Sequence, residues 1–265
     1  MKQRILTALA ILPLLALLVA FAPQPWFGLV VMGVSGWGLL EFYAISLPAQ
    51  RRLERGLAAI GGSFLVWLPQ WQQSGLPWAG LTLLFMVFAV LFLFRFEDLP
   101  SVIDHLALVL LGFLYIPLML GHLNLLLELS EGRKWIFLTL LAVMVNDSAA
   151  YFVGVTWGRN RLYPAISPKK SWEGAVGGMI GSLAAVFGVK LLFFPILAPI
   201  DCLSLGLLLG VLGPLGDLFE SMIKRGFGVK DSGSAIPGHG GLLDRLDSLL
   251  FSFPAVYYYA WSVLG

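Results

Sequence analysis

The sequence predicts an all-α, polytopic integral membrane protein that crosses the bilayer about nine times. Hydrophobic residues make up 58% of the 265 positions and charged residues only 12%, and the mean hydropathy is +0.87. Soluble domains, by contrast, are about one quarter charged. Apolar runs long enough to cross a ~30 Å hydrocarbon layer recur along the chain, and Lys and Arg residues collect in alternate connections between these runs.

The predicted spans follow one another through the whole chain. The third is short for a bilayer, and the fifth could continue through Leu129, so the count carries a margin of about one. Ala20-Phe21-Ala22 is similar to a signal-peptidase site, but the run before it is long and Pro23 follows it, so we expect the first helix to be retained. The spans cover residues 5–21, 26–47, 56–71, 77–96, 102–121, 135–157, 174–194, 203–222 and 249–264.

Positive charge predicts the orientation of these spans, because Lys and Arg collect on the cytoplasmic side. If the N-terminus is cytoplasmic, fourteen of the seventeen Lys and Arg residues lie in inner segments, and only Arg133, Lys134 and Lys190 lie outside. We therefore expect the loops rich in Lys and Arg, including those between the last spans, to lie on the cytoplasmic face. We expect residues 1–133 to form a lipid-facing scaffold of about five helices and residues 134–265 to form the catalytic region.

Composition also excludes several classes of site. The net charge of +2 is too small to indicate a nucleic-acid partner. The single cysteine, Cys202, excludes an intramolecular disulfide, and three histidines with one cysteine form no zinc cluster. Any metal should therefore be a hard ion with oxygen ligands. Glu41, near the inner end of the second span, and His105 and His122 are interpreted as structural.

Span six carries Asn146 and Asp147 inside an apolar helix. A charged group at this depth costs roughly 2.5–3.5 kcal/mol, so Asp147 should face a polar cavity or partner. Tyr151 lies one turn later on the same face. We favour a contact with substrate, and the alternative is a hydrogen bond that joins two helices.

The loop after span six combines two cations with the start of a helix. Ser171 is a predicted N-cap, and Glu173 is an acid in the first turn. Lysines beside a helix N-terminus form a good anion site. We therefore predict a phosphate contact by Lys169 or Lys170, and the alternative is a loop whose charges only fix the topology.

Residues 215–248 carry charges and glycines at a density found nowhere else in the chain. Two carboxylate pairs, Asp217 with Glu220 and Asp244 with Asp247, stand three residues apart, which on a helix places each pair on one face. Between the pairs lie cations suited to anionic oxygens and the segment PGHGG, whose glycines permit positive φ and close approach of a ligand. These cations are Lys224, Arg225 and Lys230.

This combination indicates a phosphate or nucleotide bound with a metal ion, and the alternative is a solvated loop whose charges only orient the protein. We expect Mg²⁺ as the metal. In the absence of Mg²⁺ the clustered acids would repel one another. Asp→Asn changes at 217 or 244 should therefore leave the metal-free protein at least as stable as the unchanged protein. The candidate ligands are Asp217, Glu220, Asp244 and Asp247.

The stretches SMIKR, KDSGSAIPGHGG and LDRLDS resemble, in order and spacing, the signature of phosphatidate cytidylyltransferases, also called CDP-diacylglycerol synthases. GDLFES, NDSAAY and the Ser-Pro-Lys-Lys order extend the resemblance over roughly the C-terminal half, although Ala149 stands where glycine is often expected. The catalytic residues that the resemblance implies are Asp217, Asp244, Lys224, Arg225, Lys230 and Asp231. The implied substrate- and phosphate-binding residues are Asp147, Ser167, Lys169, Lys170, Ser221, His239, Gly240, Gly241 and Arg245.

The resemblance further implies the reaction of CTP with phosphatidate to give CDP-diacylglycerol and pyrophosphate. It also implies a homodimer and a second cation beside Mg²⁺ at the Asp217 and Asp244 carboxylates. Two alternatives stay open. A CTP-dependent lipid kinase, such as a polyprenol or phytol kinase, uses similar motifs, but the intact KDSGSAIPGHGGLLDRLD argues against it. An ion-coupled transporter with Asp147 in its path would not be expected to concentrate acids and cations on one face.

Overall fold

A computed structural model of the protein describes residues 2–74, 76–95, 98–234 and 240–264. These residues are mostly helical and include one two-stranded hairpin. The α-helices are α1 (Lys2–Phe21), α2 (Gln24–Ser46), α3 (Arg52–Ser63), α4 (Leu76–Arg95), α5 (Leu99–Tyr115), α6 (Pro117–Glu128), α7 (Gly132–Trp157), α8 (Trp172–Leu192), α9 (Pro199–Gly226) and α10 (Asp247–Leu264).

The helices agree with the predicted class of an all-α membrane protein. In the part of the chain that the structure describes, six helical segments are long and apolar enough to cross a membrane. The other predicted spans are also helical, and the count of nine and the orientation stay predictions. The six segments are Gln24–Ser46, Trp78–Arg95, Leu99–Glu128, Gly132–Trp157, Trp172–Leu192 and Pro199–Gly226.

Two predicted spans are not continuous α-helices. The third continues beyond α3 as a 3-10 helix over Phe64–Ser74. The fifth runs past its predicted end at Gly121 and reaches Glu128, but it breaks at Ile116 between α5 and α6. Pro117 follows this break and has no N–H to donate to the carbonyl of Phe113, four residues earlier.

A short β-hairpin lies between α7 and α8, where the sequence predicted only a loop. Strand β1 (Arg161–Tyr163) pairs antiparallel with β2 (Ser167–Ser171), and strands this short show no clear periodicity in the sequence. The hairpin ends directly at α8. The Ser171 hydroxyl accepts a hydrogen bond from the Gly174 backbone N–H at 3.1 Å, which confirms the predicted N-cap.

Helix α9 runs without interruption through Pro214. Proline cannot donate to the carbonyl four residues earlier, that of Gly210. The buried Asn146 side chain of α7 supplies the missing donor, with Nδ2 3.4 Å from the Gly210 oxygen. Asn146 therefore joins two helices, which is the alternative role considered for it.

Helices α9 and α10 come into close contact at Gly216. A Cβ atom at Gly216 would overlap the backbone carbonyl of Asp247, so only glycine fits without a shift of the backbone. This contact brings Asp217, the next residue of α9, beside the first turn of α10. The fold thus unites the two carboxylate pairs that the sequence separates by more than twenty residues.

Candidate active site

Eight of the predicted site residues line one cavity of about 430 Å³, which we name the charged cavity. It lies between the hairpin and helices α7, α8 and α9, and the segment before α10 closes it. Asn146, Tyr151 and Ser171 also line it, together with these charged residues: Asp147, Lys170, Asp217, Lys224, Asp231, Asp244, Arg245 and Asp247.

One ion pair in the charged cavity joins the hairpin to α9. Lys170 Nζ lies 2.7 Å from Asp217 Oδ2, and both side chains are about a quarter to a third exposed, at 24% and 31%. The other Asp217 oxygen accepts a hydrogen bond from the Ser221 hydroxyl at 3.2 Å. Lys170 thus reaches the acids, whereas Lys169 is exposed and does not line the charged cavity. Successive residues of a strand point to opposite faces, which explains the difference.

A second, more buried cluster centres on Lys224. Its Nζ lies 2.7 Å from Glu220 Oε2 and 2.5 Å from Asp244 Oδ1. The three side chains are only 11%, 1% and 8% exposed, so one lysine charge faces two carboxylates that have little access to water. The sequence analysis treated these acids as a like-charge cluster. The structure does not support the expectation that neutralising Asp244 leaves stability intact, because Asp244 pairs with the buried Lys224. Asp217 pairs with Lys170 in a more exposed position, where an ion pair contributes little to stability.

Asp244 is held by the loop that precedes it. Its Oδ2 accepts hydrogen bonds from the Ser232 N–H and hydroxyl, both at 3.0 Å, and from the Gly241 N–H at 2.8 Å. Burial acts to raise the pKa of the Asp244 carboxyl, but the Lys224 contact and these hydrogen bonds outweigh burial, and its pKa lies below the usual value. Gly240 adopts a positive φ of 83°, a conformation that glycine permits, and a Cβ there would come within 2.8 Å of Oδ2.

Other predicted site residues lie outside the charged cavity. Arg225 is exposed, and its guanidinium donates to the Val229 carbonyl at 3.1 Å. Lys230 is exposed, and Ser167 begins strand β2; neither lines the charged cavity. His239 falls outside the residues that the structure describes.

The acids offer ligands of the kind that Mg²⁺ binds. Carboxylate oxygens are the preferred ligands of this hard ion, and Glu220 Oε1 is buried without a hydrogen-bond partner. Within residues 2–74, 76–95, 98–234 and 240–264, however, no three Asp, Glu, His or Cys side chains are arranged as a metal site. The donor chemistry therefore fits Mg²⁺, while the ligand set of Asp217, Glu220, Asp244 and Asp247 stays a prediction.

A second cavity of about 520 Å³, which we name the apolar cavity, adjoins the charged one. Aliphatic and aromatic side chains of α1, α2, α6, α7 and α10 form most of its wall. The two cavities share four residues, so they meet at the acidic centre. The shared residues are Asp147, Asp244, Arg245 and Asp247.

The sequence analysis missed one acid that contacts the site. Glu41 of α2 is buried and accepts hydrogen bonds from the loop that carries Asp244. An isolated acid near the end of an apolar span was the available signal, but its partners lie about two hundred positions later in the chain. Their backbone N–H groups leave no trace in the sequence.

Comparison with known proteins agrees with this assembly. The sequence model of the cytidylyltransferase family matches residues 2–263. A Bacillus subtilis protein named phosphatidate cytidylyltransferase is 34% identical over 97% of both chains. A Staphylococcus aureus protein, also named phosphatidate cytidylyltransferase, is 36% identical over 75% of this chain and 76% of its own length. Escherichia coli YnbB, described as uncharacterized, is 35% identical over 89% of this chain and 85% of its own length. These matches confirm the resemblance seen in the motifs: the chain belongs to the cytidylyltransferase family of nucleotidyltransferases.

Proposed function

We propose that the protein is a phosphatidate cytidylyltransferase, which converts CTP and phosphatidate to CDP-diacylglycerol and pyrophosphate. The names of the Bacillus and Staphylococcus relatives support this assignment. The observation that carries it in the structure is the junction of the two cavities at Asp147, Asp244, Arg245 and Asp247. A substrate with a phosphate head and acyl chains needs a charged compartment and an apolar compartment in direct contact.

In the proposed reaction, a phosphate oxygen of phosphatidate attacks the α-phosphorus of CTP. The bond from that phosphorus to the oxygen bridging the α- and β-phosphates breaks, and pyrophosphate leaves with the electron pair. A phosphate monoester is largely ionised at pH 7 because its second pKa lies near ~6. The nucleophile therefore needs no strong protein base, which agrees with a cavity lined by acids and cations.

The cations would supply the electrostatic part of catalysis. Lys170 and Lys224 lie at the cavity wall, where they could turn from their carboxylates to phosphate oxygens when substrates bind. Charge that develops on the leaving pyrophosphate is stabilised by such fixed positive groups, and their effect is strong in a site with little water. Arg245 lies where the two cavities meet and is placed to contact the lipid phosphate.

We propose Mg²⁺ as the cofactor, with Asp217, Glu220, Asp244 and Asp247 as the residues that would hold it. When bound, it would neutralise phosphate charge and polarise the bond to the leaving group. A second cation at Asp217 and Asp244, and a homodimeric assembly, follow from the resemblance and belong to the same proposal.

We also propose that the charged cavity faces the cytoplasm of a bacterial cell, where CTP is made. The bias of Lys and Arg towards one set of loops supports this orientation. In this arrangement residues 1–133 form mainly a scaffold that contacts lipid, and residues 134–265 carry the charged groups of the reaction.

The test is turnover by purified protein in detergent micelles, with CTP, phosphatidate and Mg²⁺ and without any ion gradient. We expect CDP-diacylglycerol and pyrophosphate in equal amounts, and no product when Mg²⁺ is removed with a chelator. A phosphorylated lipid together with CDP would instead indicate a lipid kinase. No turnover of CTP in well-folded protein would reject the proposal.

A further inference from the structure

Glu41 is a buried acid of α2 whose carboxylate is directed at the loop before α10. Its Oε1 accepts from the Leu242 N–H at 2.9 Å, and its Oε2 accepts from the Leu243 N–H at 2.9 Å. The Ser232 hydroxyl lies 3.1 Å from the same Oε2. Glu41 is only 7% exposed, and burial of a carboxylate is costly unless hydrogen-bond donors such as these compensate it.

The loop divides its donors between Glu41 and Asp244. Three consecutive N–H groups point at the two acids, that of Gly241 at Asp244 and those of Leu242 and Leu243 at Glu41. The Ser232 hydroxyl lies within 3.1 Å of both carboxylates. The position of Glu41 therefore fixes the peptide groups that in turn fix the Asp244 carboxylate.

Two glycines make room for the Glu41 carboxylate. A Cβ atom at Gly233 would come within 2.8 Å of Glu41 Oε1, and one at Gly241 would come within 2.5 Å of Oε2. Ordinary side chains at these positions would push the loop away from α2. Glycine at both positions is therefore consistent with a loop built to accept an acid from the N-terminal helices.

We propose that Glu41 is a positioning residue for the nucleotidyl transfer: it holds residues 241–243 so that Asp244 is correctly oriented in the charged cavity. The inference rests on the proposed function for its kinetic consequence. Glu41 does not line the charged or the apolar cavity, so it acts through the loop and not on a substrate. It also ties the N-terminal helices to the catalytic region, which makes them more than a scaffold.

The test compares Glu41→Gln with a matched control, Glu54→Gln. Glutamine keeps the size of Glu41, but its NH₂ group cannot accept a hydrogen bond from a backbone N–H. Glu54 of α3 is also buried, but its carboxylate pairs with Arg51 at 3.3 Å and Arg95 at 3.0 Å and does not contact the loop. Both variants remove a buried negative charge, and only Glu41→Gln disturbs residues 241–243.

The first readout is hydrogen exchange of peptides that contain the Leu242 and Leu243 amides, measured in the full-length protein without substrates. In Glu41→Gln we expect these amides to exchange at least about tenfold faster, the factor that corresponds to loss of one charge-assisted hydrogen bond. In Glu54→Gln we expect no change there. Equal exchange in both variants would overturn the inference.

The second readout is turnover at a temperature where both variants stay folded. In Glu41→Gln we expect kcat to fall about a hundredfold, because small misplacements of reacting groups cost this much, with the KM for CTP changed by less than about threefold. Normal kcat in Glu41→Gln, or an equal loss in Glu54→Gln, would overturn the inference. If Glu41→Gln does not fold, Glu41→Asp replaces it, because aspartate keeps the charge on a side chain that is one methylene shorter. Faster exchange of the Leu242 and Leu243 amides and a lower kcat are then expected of Glu41→Asp, and normal values of both would overturn the inference.

The two proposals fail in different ways. If the wild-type protein does not form CDP-diacylglycerol, the proposed function fails, while hydrogen exchange still reports whether Glu41 orders the loop. If the wild-type protein turns over and Glu41→Gln does so equally well, only the positioning role is overturned.

Discussion

Removal of the Lys224 side chain should destabilise the protein far more than removal of Lys170. Lys224 contacts Glu220 and Asp244 at 2.7 and 2.5 Å, with all three side chains no more than 11% exposed. Loss of one partner from a buried ion pair costs roughly 3–5 kcal/mol, because the remaining charge is left uncompensated. The Lys170–Asp217 pair is 24% and 31% exposed, and a pair with this access to water contributes about 0–1 kcal/mol.

The assay is the free energy of unfolding of Lys224→Met and Lys170→Met, from denaturant titrations in detergent micelles without Mg²⁺. We expect the Lys224→Met variant to be less stable than Lys170→Met by at least about 2 kcal/mol. Adding Glu220→Gln to Lys224→Met should recover part of the loss, since it removes one unpaired charge. Two single variants of equal stability would refute the reasoning that Lys224 compensates buried acids.

The remaining predictions concern metal binding, the phosphate site, helix packing and topology. Asp217→Asn and Asp244→Asn should each lower turnover by orders of magnitude and weaken the stabilisation by Mg²⁺ with CTP, and normal turnover would remove that residue from the site. Lys170→Ala should lower kcat/KM at least about tenfold, whereas Lys169→Ala should change it little, because only Lys170 lines the charged cavity; equal effects would contradict this distinction. Asn146→Ala should cost about 1 kcal/mol of unfolding free energy in the wild type but much less in a Pro214→Ala background, where residue 214 regains an N–H for the Gly210 carbonyl. Single cysteines at 169 and 230, with Cys202 replaced, should not react with an impermeant thiol reagent added to intact cells, and labelling would reverse the predicted orientation.

Local signals in the sequence predicted much of this fold and site. Apolar runs predicted the helices because length and hydropathy are properties of contiguous residues. Ser171 was assigned correctly as an N-cap, since a cap depends on the chain within a few positions. The motif residues also identified which segments would come together at the acidic centre.

Features that depend on tertiary packing could not be predicted in the same way. The i, i+3 spacing suggested that Asp244 pairs with Asp247, but Lys224, twenty positions earlier, is its closest partner. The hairpin that separates Lys169 from Lys170 is too short to show a pattern. Glu41 was interpreted as structural from the sequence. Its contact with the site could not be foreseen, because its hydrogen-bond donors include backbone N–H groups of a distant loop.

The central claim is that the charged cavity transfers the cytidylyl group of CTP to a lipid phosphate. The most direct measurement follows CTP labelled with ³²P at either the α- or the γ-phosphate during reaction with phosphatidate and Mg²⁺. The account predicts that the α-label enters the lipid fraction and that the γ-label appears only in pyrophosphate. Transfer of the γ-label to lipid, or release of both labels into water without a labelled lipid, would contradict it.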